Sequence, residues 1–201
     1  MMPSIVAAVF ITVAGTAALA LGTDGFRAYT SETARREAIL RQPRVPPTAV
    51  LEDQDGRIFR LEDYRGKLVA VEFIYTHCAT LCRALGTSFQ RIRDNVPIRA
   101  LGRGLVLFSI SFDPDRDTPA QLKNYARHFG ADGQGWRIAR VRDKAALKSL
   151  LAAFGIVVVP DGLGGFEHNA AIHLLDPGGR LIEISDYDRP LQFAAKVKAA
   201  L

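Results

Sequence analysis

Cys78 and Cys82, the only two cysteines of the 201-residue chain, carry its most reactive chemistry. They follow the apolar run Leu68 to Tyr75 and open a segment with helical periodicity, so the pattern predicts a strand-to-helix turn. Peptide dipoles at the first turn of a helix favour thiolate, and i, i+4 spacing points both sulfurs to one side. Thiolates bind Cu(I) or zinc, and a thiol pair also forms a redox disulfide. The pair therefore predicts sulfur chemistry and leaves metal binding and redox open.

Other uses of two cysteines fit this spacing less well. A structural disulfide would close a very small loop and constrain the chain little. A structural zinc site normally has four ligands, and the sequence offers no obvious fourth. A thiol peroxidase would have a single activated cysteine with threonine and arginine around it, which the spacing does not indicate.

The elements that must position the cysteines alternate between strand and helix. Strands are predicted over Leu68 to Tyr75, Gly104 to Phe112 and Trp136 to Val141, with helices over Leu81 to Ile92, Pro119 to His128 and Asp143 to Phe154. A hairpin over Ala49 to Arg60 precedes them. A second hairpin of Ala170 to Leu175 with Leu181 to Ile184 and a last helix from Pro190 follow them. This order predicts an α/β fold, a mixed sheet flanked by helices.

Three regions follow from composition. Residues 1–23 carry no charge and are long enough for a transmembrane helix, and a cleaved signal peptide is the alternative because Ala18-Leu19-Ala20 has a small-x-small form. Residues 24–47 are polar, charged and Pro-rich, which predicts a linker that is stiff and extended around its prolines. The folded domain is expected over residues 48–201. Arg27, Arg35 and Arg36 after the apolar run would by themselves hold that domain in the cytoplasm.

The net charge of +5 is mild, and the basic residues are scattered. No block of lysine and arginine with interleaved aromatic residues is present, so the sequence argues against a nucleic-acid-binding protein.

Four segments resemble the Sco/SenC family of membrane-anchored, thioredoxin-fold copper proteins. They are F-I-Y-T-H-C-A-T-L-C (Phe73 to Cys82), S-F-D-P-D-R-D-T-P (Ser111 to Pro119), Q-L-K-N-Y-A-R-H-F (Gln121 to Phe129) and E-H-N-A-A-I-H-L-L-D-P-G-G-R (Glu167 to Arg180). The resemblance implies a thioredoxin-like domain that holds copper through Cys78, Cys82 and His168. Two thiolates and an imidazole suit trigonal Cu(I), and an added oxygen ligand would suit Cu(II).

The resemblance also implies a role and a location. A family member delivers copper to the cytochrome c oxidase subunit that carries the binuclear copper centre. The alternative role is a thiol-disulfide oxidoreductase, with Cys78 and Cys82 as the redox pair, that keeps an oxidase subunit or another copper chaperone reduced. The family places the domain in the periplasm, on a single-pass inner-membrane anchor, and this overrules the charge argument. A pure dithiol enzyme has no need of His168, which favours the copper role.

Three residues depart from the family pattern, and the other histidines have simpler explanations. Ala79 and Arg83 replace the usual prolines after each cysteine, and Glu167 replaces the usual aspartate before His168. His173 lies five positions after His168, which on one strand predicts the opposite face and a partly buried residue. His128 is expected near a helix C-terminus on the surface. His77 either tunes Cys78 or is exposed. The loop Gly162 to Gly165 is expected to be mobile and to let His168 approach the cysteines.

Overall fold

A computed structural model describes residues 2–23, 25, 30–78 and 81–201, so Arg27 and Ala79 lie outside the described residues. The helices are α1 (Met2–Gly22), α2 (Ser31–Arg41), α3 (Leu81–Asn95), α4 (Pro119–Phe129), α5 (Lys144–Phe154) and α6 (Pro190–Ala200). The strands are β1 (Val50–Asp53), β2 (Ile58–Arg60), β3 (Leu68–Ile74), β4 (Leu105–Ser111), β5 (Trp136–Val141), β6 (Val158–Pro160), β7 (Phe166–His168), β8 (Ile172–Leu175) and β9 (Leu181–Ser185). Contacts divide the chain into one unit that ends at Gln42 and a second over Pro43–Leu201.

The first unit contains two helices. The segment Ile5–Gly22 of α1 has a mean hydropathy of 2.3, and by length and composition it is sufficient to cross a membrane. Helix α2 lies within the predicted linker and was not expected. Thr30 caps it by accepting a hydrogen bond from the Thr33 N–H, and Glu32 pairs with Arg35 and Arg36. These local caps and ion pairs stabilise a helix that has no apolar stripe to reveal it in the sequence.

The second unit is built on a seven-stranded mixed sheet in the order β2-β1-β5-β4-β3-β8-β9. Strands β3, β4 and β5 are parallel, and the hairpins β1–β2 and β8–β9 join the two edges in antiparallel pairing. Every residue of β3 and β4 is buried, which explains their largely apolar sequence. The predicted mixed sheet and its order of elements are present.

Helices cover both faces of the sheet. On one face the Phe73 ring of β3 contacts Phe154 of α5, with centroids 5.2 Å apart. On the other face the Trp136 ring of β5 lies 5.8 Å from Phe89 of α3 and 6.5 Å from Phe129 of α4. The sheet therefore forms the middle of three layers, and core aromatic packing holds α3, which begins after the carboxyl end of β3, against one face of the sheet.

Like α2, a further hairpin is additional to the sequence prediction. Strands β6 and β7 form a separate antiparallel hairpin, in which His168 pairs with Val158. His168 and His173 consequently belong to different strands, β7 and β8, so counting along one strand does not relate them. The Gly162 to Gly165 segment is the turn of this hairpin, where Asp161 Oδ1 accepts hydrogen bonds from the N–H groups of Leu163 and Gly165.

Candidate metal centre

Three separate elements position the predicted ligands. Cys78 lies in the loop after β3, Cys82 is the second residue of α3, and His168 ends β7. Cys78 therefore precedes the helix and does not share its first turn with Cys82, which corrects the helical i, i+4 prediction. The loop also brings the Cys78 sulfur to the helix terminus, where Cys82 N–H donates to Cys78 Sγ at 3.3 Å.

Cys82 and His168, which are 86 residues apart in sequence, meet at the site. Cys82 Sγ lies 3.8 Å from His168 Nε2. The same sulfur accepts a hydrogen bond from the Tyr75 N–H at 3.4 Å. An N–H group that donates to sulfur favours its thiolate form, the form that binds metal. The structure thus places the His168 imidazole nitrogen beside the Cys82 thiol, and the Cys78 thiol beside the Cys82 backbone N–H.

Hydrogen bonds fix the His168 ring in one orientation. His168 Nδ1 lies 3.2 Å from the backbone oxygen of Asn169. A carbonyl oxygen only accepts, so Nδ1 carries the proton and Nε2 presents its lone pair towards Cys82. Burial lowers the pKa of His168, and the Asn169 oxygen partly opposes this. A neutral imidazole with a free Nε2 is the form that ligates a metal.

The thiol of Cys82 is protonated in this environment. Burial is the main cause of a raised pKa for Cys82, the Tyr75 N–H partly offsets it, and the neighbouring Cys78 raises it further. The expectation that the helix terminus would favour a Cys82 thiolate is therefore wrong for the metal-free state. Metal binding must displace this proton, because the ligand is the thiolate.

Tyr75 holds the hairpin that carries His168 against the end of β3. Its hydroxyl donates to the Phe166 oxygen and accepts from the Phe166 N–H, both at 3.2 Å. Arg116 adds a second connection, since it donates to the Gly164 oxygen at 2.5 Å and lies 5.3 Å from the Phe166 ring centroid. The approach of His168 to Cys82 thus depends on contacts made by two residues outside the predicted ligand set.

A buried carboxylate orders the loop before Cys78. Asp117 has no exposed surface and accepts hydrogen bonds from the Thr76 N–H at 3.0 Å, the Thr76 hydroxyl at 2.5 Å and the Ser111 hydroxyl at 2.5 Å. The charge pattern of the loop after β4 would by itself predict turn and cap chemistry, with Arg116 paired to Asp115 or Asp117. Arg116 instead pairs with Asp113. The D-P-D-R-D-T-P segment therefore supports the cysteine loop directly.

The other three histidines have different surroundings. His77 Nδ1 is 3.6 Å from Asp117 Oδ1, and 48% of its side chain is exposed. His128 is exposed in the last turn of α4, as predicted. His173 is completely buried, with Nδ1 3.2 Å from the Val71 oxygen and its ring packed against Phe73 and Phe154. It is a core residue.

An open cavity of about 260 Å³ gives access to Cys78. Its walls come from the loop before α3 and from the facing side of α4, and they are formed by Thr76, His77, Cys78, Arg83, Gln121, Asn124, Tyr125, His128 and Phe129. Arg83, one of the departures from the family pattern, is thus a wall residue of this cavity. Cys78 is half-buried and Cys82 is buried, so an incoming ligand or thiol meets Cys78 first.

Within residues 2–23, 25, 30–78 and 81–201, no group of three histidine, cysteine or acidic side chains is already arranged around a metal position. The donor set nevertheless fits copper, because it combines two sulfurs with a neutral imidazole whose Nε2 faces one of them. The Cys78 sulfur, brought to the position that Cys82 and His168 share, would complete a trigonal set. Glu167, the neighbour of His168, is exposed.

Comparison with known proteins gives three consistent findings. A family model described as SCO1/SenC matches residues 41–201. The "SCO1 protein homolog" of Bacillus subtilis (strain 168) is 27% identical over 142 residues, which cover 68% of this chain and 70% of that protein. The solved structure of Bradyrhizobium japonicum ScoI with copper bound is 28% identical, with a TM-score of 0.68, and the match covers 78% of this chain and 99% of that one.

A further solved structure extends the comparison of fold. It describes a disulfide switch in BsSco, "a member of the Sco family of cytochrome c oxidase assembly proteins", and matches with 21% identity and a TM-score of 0.67 over 79% of this chain and 94% of that one. At this identity the likeness concerns the fold alone. The predicted thioredoxin-like sheet flanked by helices is confirmed.

Proposed function

Because the chain belongs to the SCO1/SenC family, we propose that it is a copper metallochaperone with Cys78, Cys82 and His168 as its ligands. It delivers copper to cytochrome c oxidase, at the subunit that carries the binuclear copper centre. The observation that supports this most strongly is the 3.8 Å approach of His168 Nε2 to Cys82 Sγ. A dithiol enzyme needs no imidazole at this position, whereas a Cu(I) site does.

Copper retention and release follow from the same contacts. The Tyr75 and Cys82 N–H groups donate to the two sulfurs, and Asn169 keeps Nε2 of His168 available. Since burial favours the protonated Cys82 thiol, loading releases a proton, and reprotonation assists transfer to a receiving site. The cavity beside Cys78 is where a partner's ligands would enter.

A coupled redox reaction is the second part of the proposal. The thiols of Cys78 and Cys82 lose two electrons and two protons as one S–S bond forms, and a disulfide in an oxidase subunit or another copper chaperone is reduced to two thiols. Cys78 lies outside the helix, so its side chain is not held at helical spacing from Cys82, and its sulfur lies beside the Cys82 backbone. This placement supports formation of the disulfide. The disulfide form has no thiolate to offer and does not hold copper.

The chain is proposed to act from a membrane. Residues 1–23 form an inner-membrane anchor, residues 24–47 link it to the domain over residues 48–201, and the domain lies in the periplasm. The apolar helix supports the anchor by length and composition, and a cleaved signal peptide is the competing interpretation.

Copper stoichiometry tests the proposed ligands. The reduced full-length protein in detergent should bind one Cu(I), and Cys78→Ser or Cys82→Ser should abolish this because too few soft donors remain. His168→Ala should retain weak Cu(I) binding and lose stable Cu(II) binding. Elemental analysis and the Cu(II) absorption spectrum measure these effects, with Gln192→Ala, an exposed position of α6, as the surface control.

Two outcomes would contradict the assignment. Full stoichiometric binding in either single-cysteine variant would exclude the cysteine pair as the site, and an unchanged Cu(II) spectrum in His168→Ala would exclude the imidazole. For the redox part, thiol alkylation in glutathione buffers should reveal a reversible disulfide whose oxidised form binds no copper. A disulfide that never forms would leave a chaperone without redox activity.

A further inference from the structure

A basic groove of about 600 Å³ lies at the end of the sheet opposite the cysteines. We call it the amino-end groove, and its main wall residues are Arg57, Phe59, Tyr64, Lys67, Arg103 and Arg137. Lys67 immediately precedes β3 and Arg103 lies just before β4, whereas Cys78 follows the carboxyl end of β3. A strand of this length spans roughly 20 Å, so the groove and the metal centre face opposite directions.

The groove carries an excess of positive charge. Four cationic side chains line it, and Asp63 is the one acidic residue among the described wall residues. Asp63 also serves the backbone, since it accepts a hydrogen bond from the Arg60 N–H. Arg57 and Arg103 are exposed and have no ion-pair partner within the part of the chain that the structure describes. Two cations that no carboxylate among the described residues pairs with are therefore available to an external anion.

Aromatic rings hold the other two cations in place. The Arg137 guanidinium lies 5.4 Å from the Phe59 ring centroid and 5.9 Å from that of Tyr64. Lys67 Nζ lies 5.6 Å from the Tyr64 centroid and donates to the Gly102 oxygen at 2.6 Å. Arg137 is also anchored by Asp53 at 2.7 Å. These cations are ordered before any ligand arrives, which distinguishes the groove from a solvated face of flexible lysines.

The apolar segment Ile5–Gly22 indicates which anion is near. We propose that the amino-end groove is a docking surface for anionic phospholipid headgroups, which turns the end of the domain with Cys78, Cys82 and His168 away from the bilayer. The inference rests on the membrane anchoring proposed above and adds an orientation to it. Headgroup phosphates would bind Arg57 and Arg103 at the rim, while Lys67 supplies the fixed charge beneath and Arg137, paired with Asp53, forms an ordered part of the wall.

Amide hydrogen exchange of the full chain in lipid nanodiscs tests the docking. Nanodiscs of phosphatidylcholine alone are compared with an equal mixture of phosphatidylcholine and phosphatidylglycerol. The anionic lipid should slow exchange in residues 57–67 and 101–104 and leave residues 158–168 unchanged, and high salt should remove the effect. Arg57→Gln with Arg103→Gln should weaken docking about thirty-fold, since each cation near an anionic surface contributes roughly five-fold.

The matched control removes the same net charge elsewhere. Arg91→Gln with Lys198→Gln neutralises two exposed cations of α3 and α6 and should leave the exchange pattern as in the unaltered chain. An equal loss in both double variants would reduce the effect to net charge and overturn the proposal. Protection at residues 158–168 instead of the groove would overturn it as well.

Two further outcomes separate this inference from the proposed function. If inorganic phosphate protects the groove in neutral nanodiscs and anionic lipid does not, the groove is a free-anion site and membrane docking is wrong. If the chain fails to copurify with nanodiscs, the anchor itself is wrong and docking fails with it. Cu(I) stoichiometry of the Arg57→Gln, Arg103→Gln variant should stay at one in every case, so failure of docking leaves the copper assignment intact.

Discussion

The carboxyl group of Glu72 lies inside the sheet, on the face of β3 that α3 and α4 cover, with no exposed surface. The Ser109 hydroxyl donates to Oε1 at 2.5 Å, and Ser109 in turn accepts from the Trp136 indole at 3.0 Å. Oε2 is buried without a hydrogen-bond partner among the described residues. Burial raises the pKa of Glu72 to about 8, and the Ser109 bond partly opposes this. The side chain is therefore a neutral acid in the folded protein at neutral pH.

Neutralising Glu72 should change how stability depends on pH. The pKa is 4.5 in the unfolded chain and about 8 in the fold, so stability present below pH 4.5 is lost as pH rises towards 8. Relative to Glu72→Gln, the unaltered protein should lose on the order of 4 to 5 kcal/mol across this window, at roughly 1.4 kcal/mol for each pKa unit between 4.5 and about 8. Denaturant unfolding of the reduced protein between pH 5 and pH 8.5 measures the difference.

The control for this experiment is Asp94→Asn, which neutralises an exposed carboxylate paired with Arg93. Parallel pH profiles for the unaltered protein and Glu72→Gln would show that Glu72 is ionised in the fold. That result would contradict the neutral state that we infer from the burial of its carboxyl group.

Among the secondary-structure elements, the β6–β7 hairpin determines whether the metal centre assembles, because it carries His168. Its strands contribute three residues each, which is too short to be stable alone. Tyr75 and Arg116 fix it, and the Phe112 ring adds a contact 4.9 Å from the His168 ring centroid. His168 is thus placed by docking of the hairpin and not by pairing with the main sheet.

Tyr75→Phe should loosen the hairpin while keeping the aromatic packing. The substitution removes both hydrogen bonds to Phe166, each contributing about 1 kcal/mol, so the hairpin should open roughly ten- to thirty-fold more often. Hydrogen exchange in residues 158–168 should accelerate by this factor, and Cu(II) should dissociate faster. Tyr187→Phe, in the loop before α6, is the matched control. Unchanged exchange in Tyr75→Phe would show that Arg116 and the aromatic contacts hold the hairpin without the Tyr75 hydroxyl.

At the scale of the whole molecule, the boundary between the two compact units lies close to the first residue of the family match. Compact contacts begin at Pro43, and the match begins at residue 41. Arg44 pairs through its backbone with Leu181, N–H to oxygen at 3.4 Å and oxygen to N–H at 2.8 Å. The domain thus makes a strand contact before Thr48, the residue at which the composition of the chain predicts its start.

Two truncations that differ by five residues test this boundary. A chain that begins at Pro43 should fold and bind Cu(I) as the full chain does. A chain that begins at Thr48 should lose the two Arg44 bonds and about 2 kcal/mol of unfolding free energy. Denaturant unfolding compares the two, and copper stoichiometry is the control for the site. Equal stability would show that the Arg44 pairing contributes nothing.

Local sequence patterns determined the elements of this protein. The apolar runs of β3 and β4, the Thr118 cap with Pro119 and the Asp55-Gly56 turn each act over a few neighbouring residues, so they can be read directly. The N-terminal apolar segment and the cysteine pair are local in the same sense. Helix α2 escaped prediction because ion pairs, and not an apolar stripe, support it.

Tertiary packing decided how those elements make a site. The approach of His168 to Cys82 spans 86 residues and depends on Tyr75, which no local pattern marks as a support for the hairpin. The protonated state of Cys82 depends on its burial, which reverses the effect expected at a helix terminus. The sequence determines the donor atoms, because the residue type alone sets the chemistry of each side chain. Their distances and protonation belong to the tertiary structure, because both depend on which distant groups exclude water.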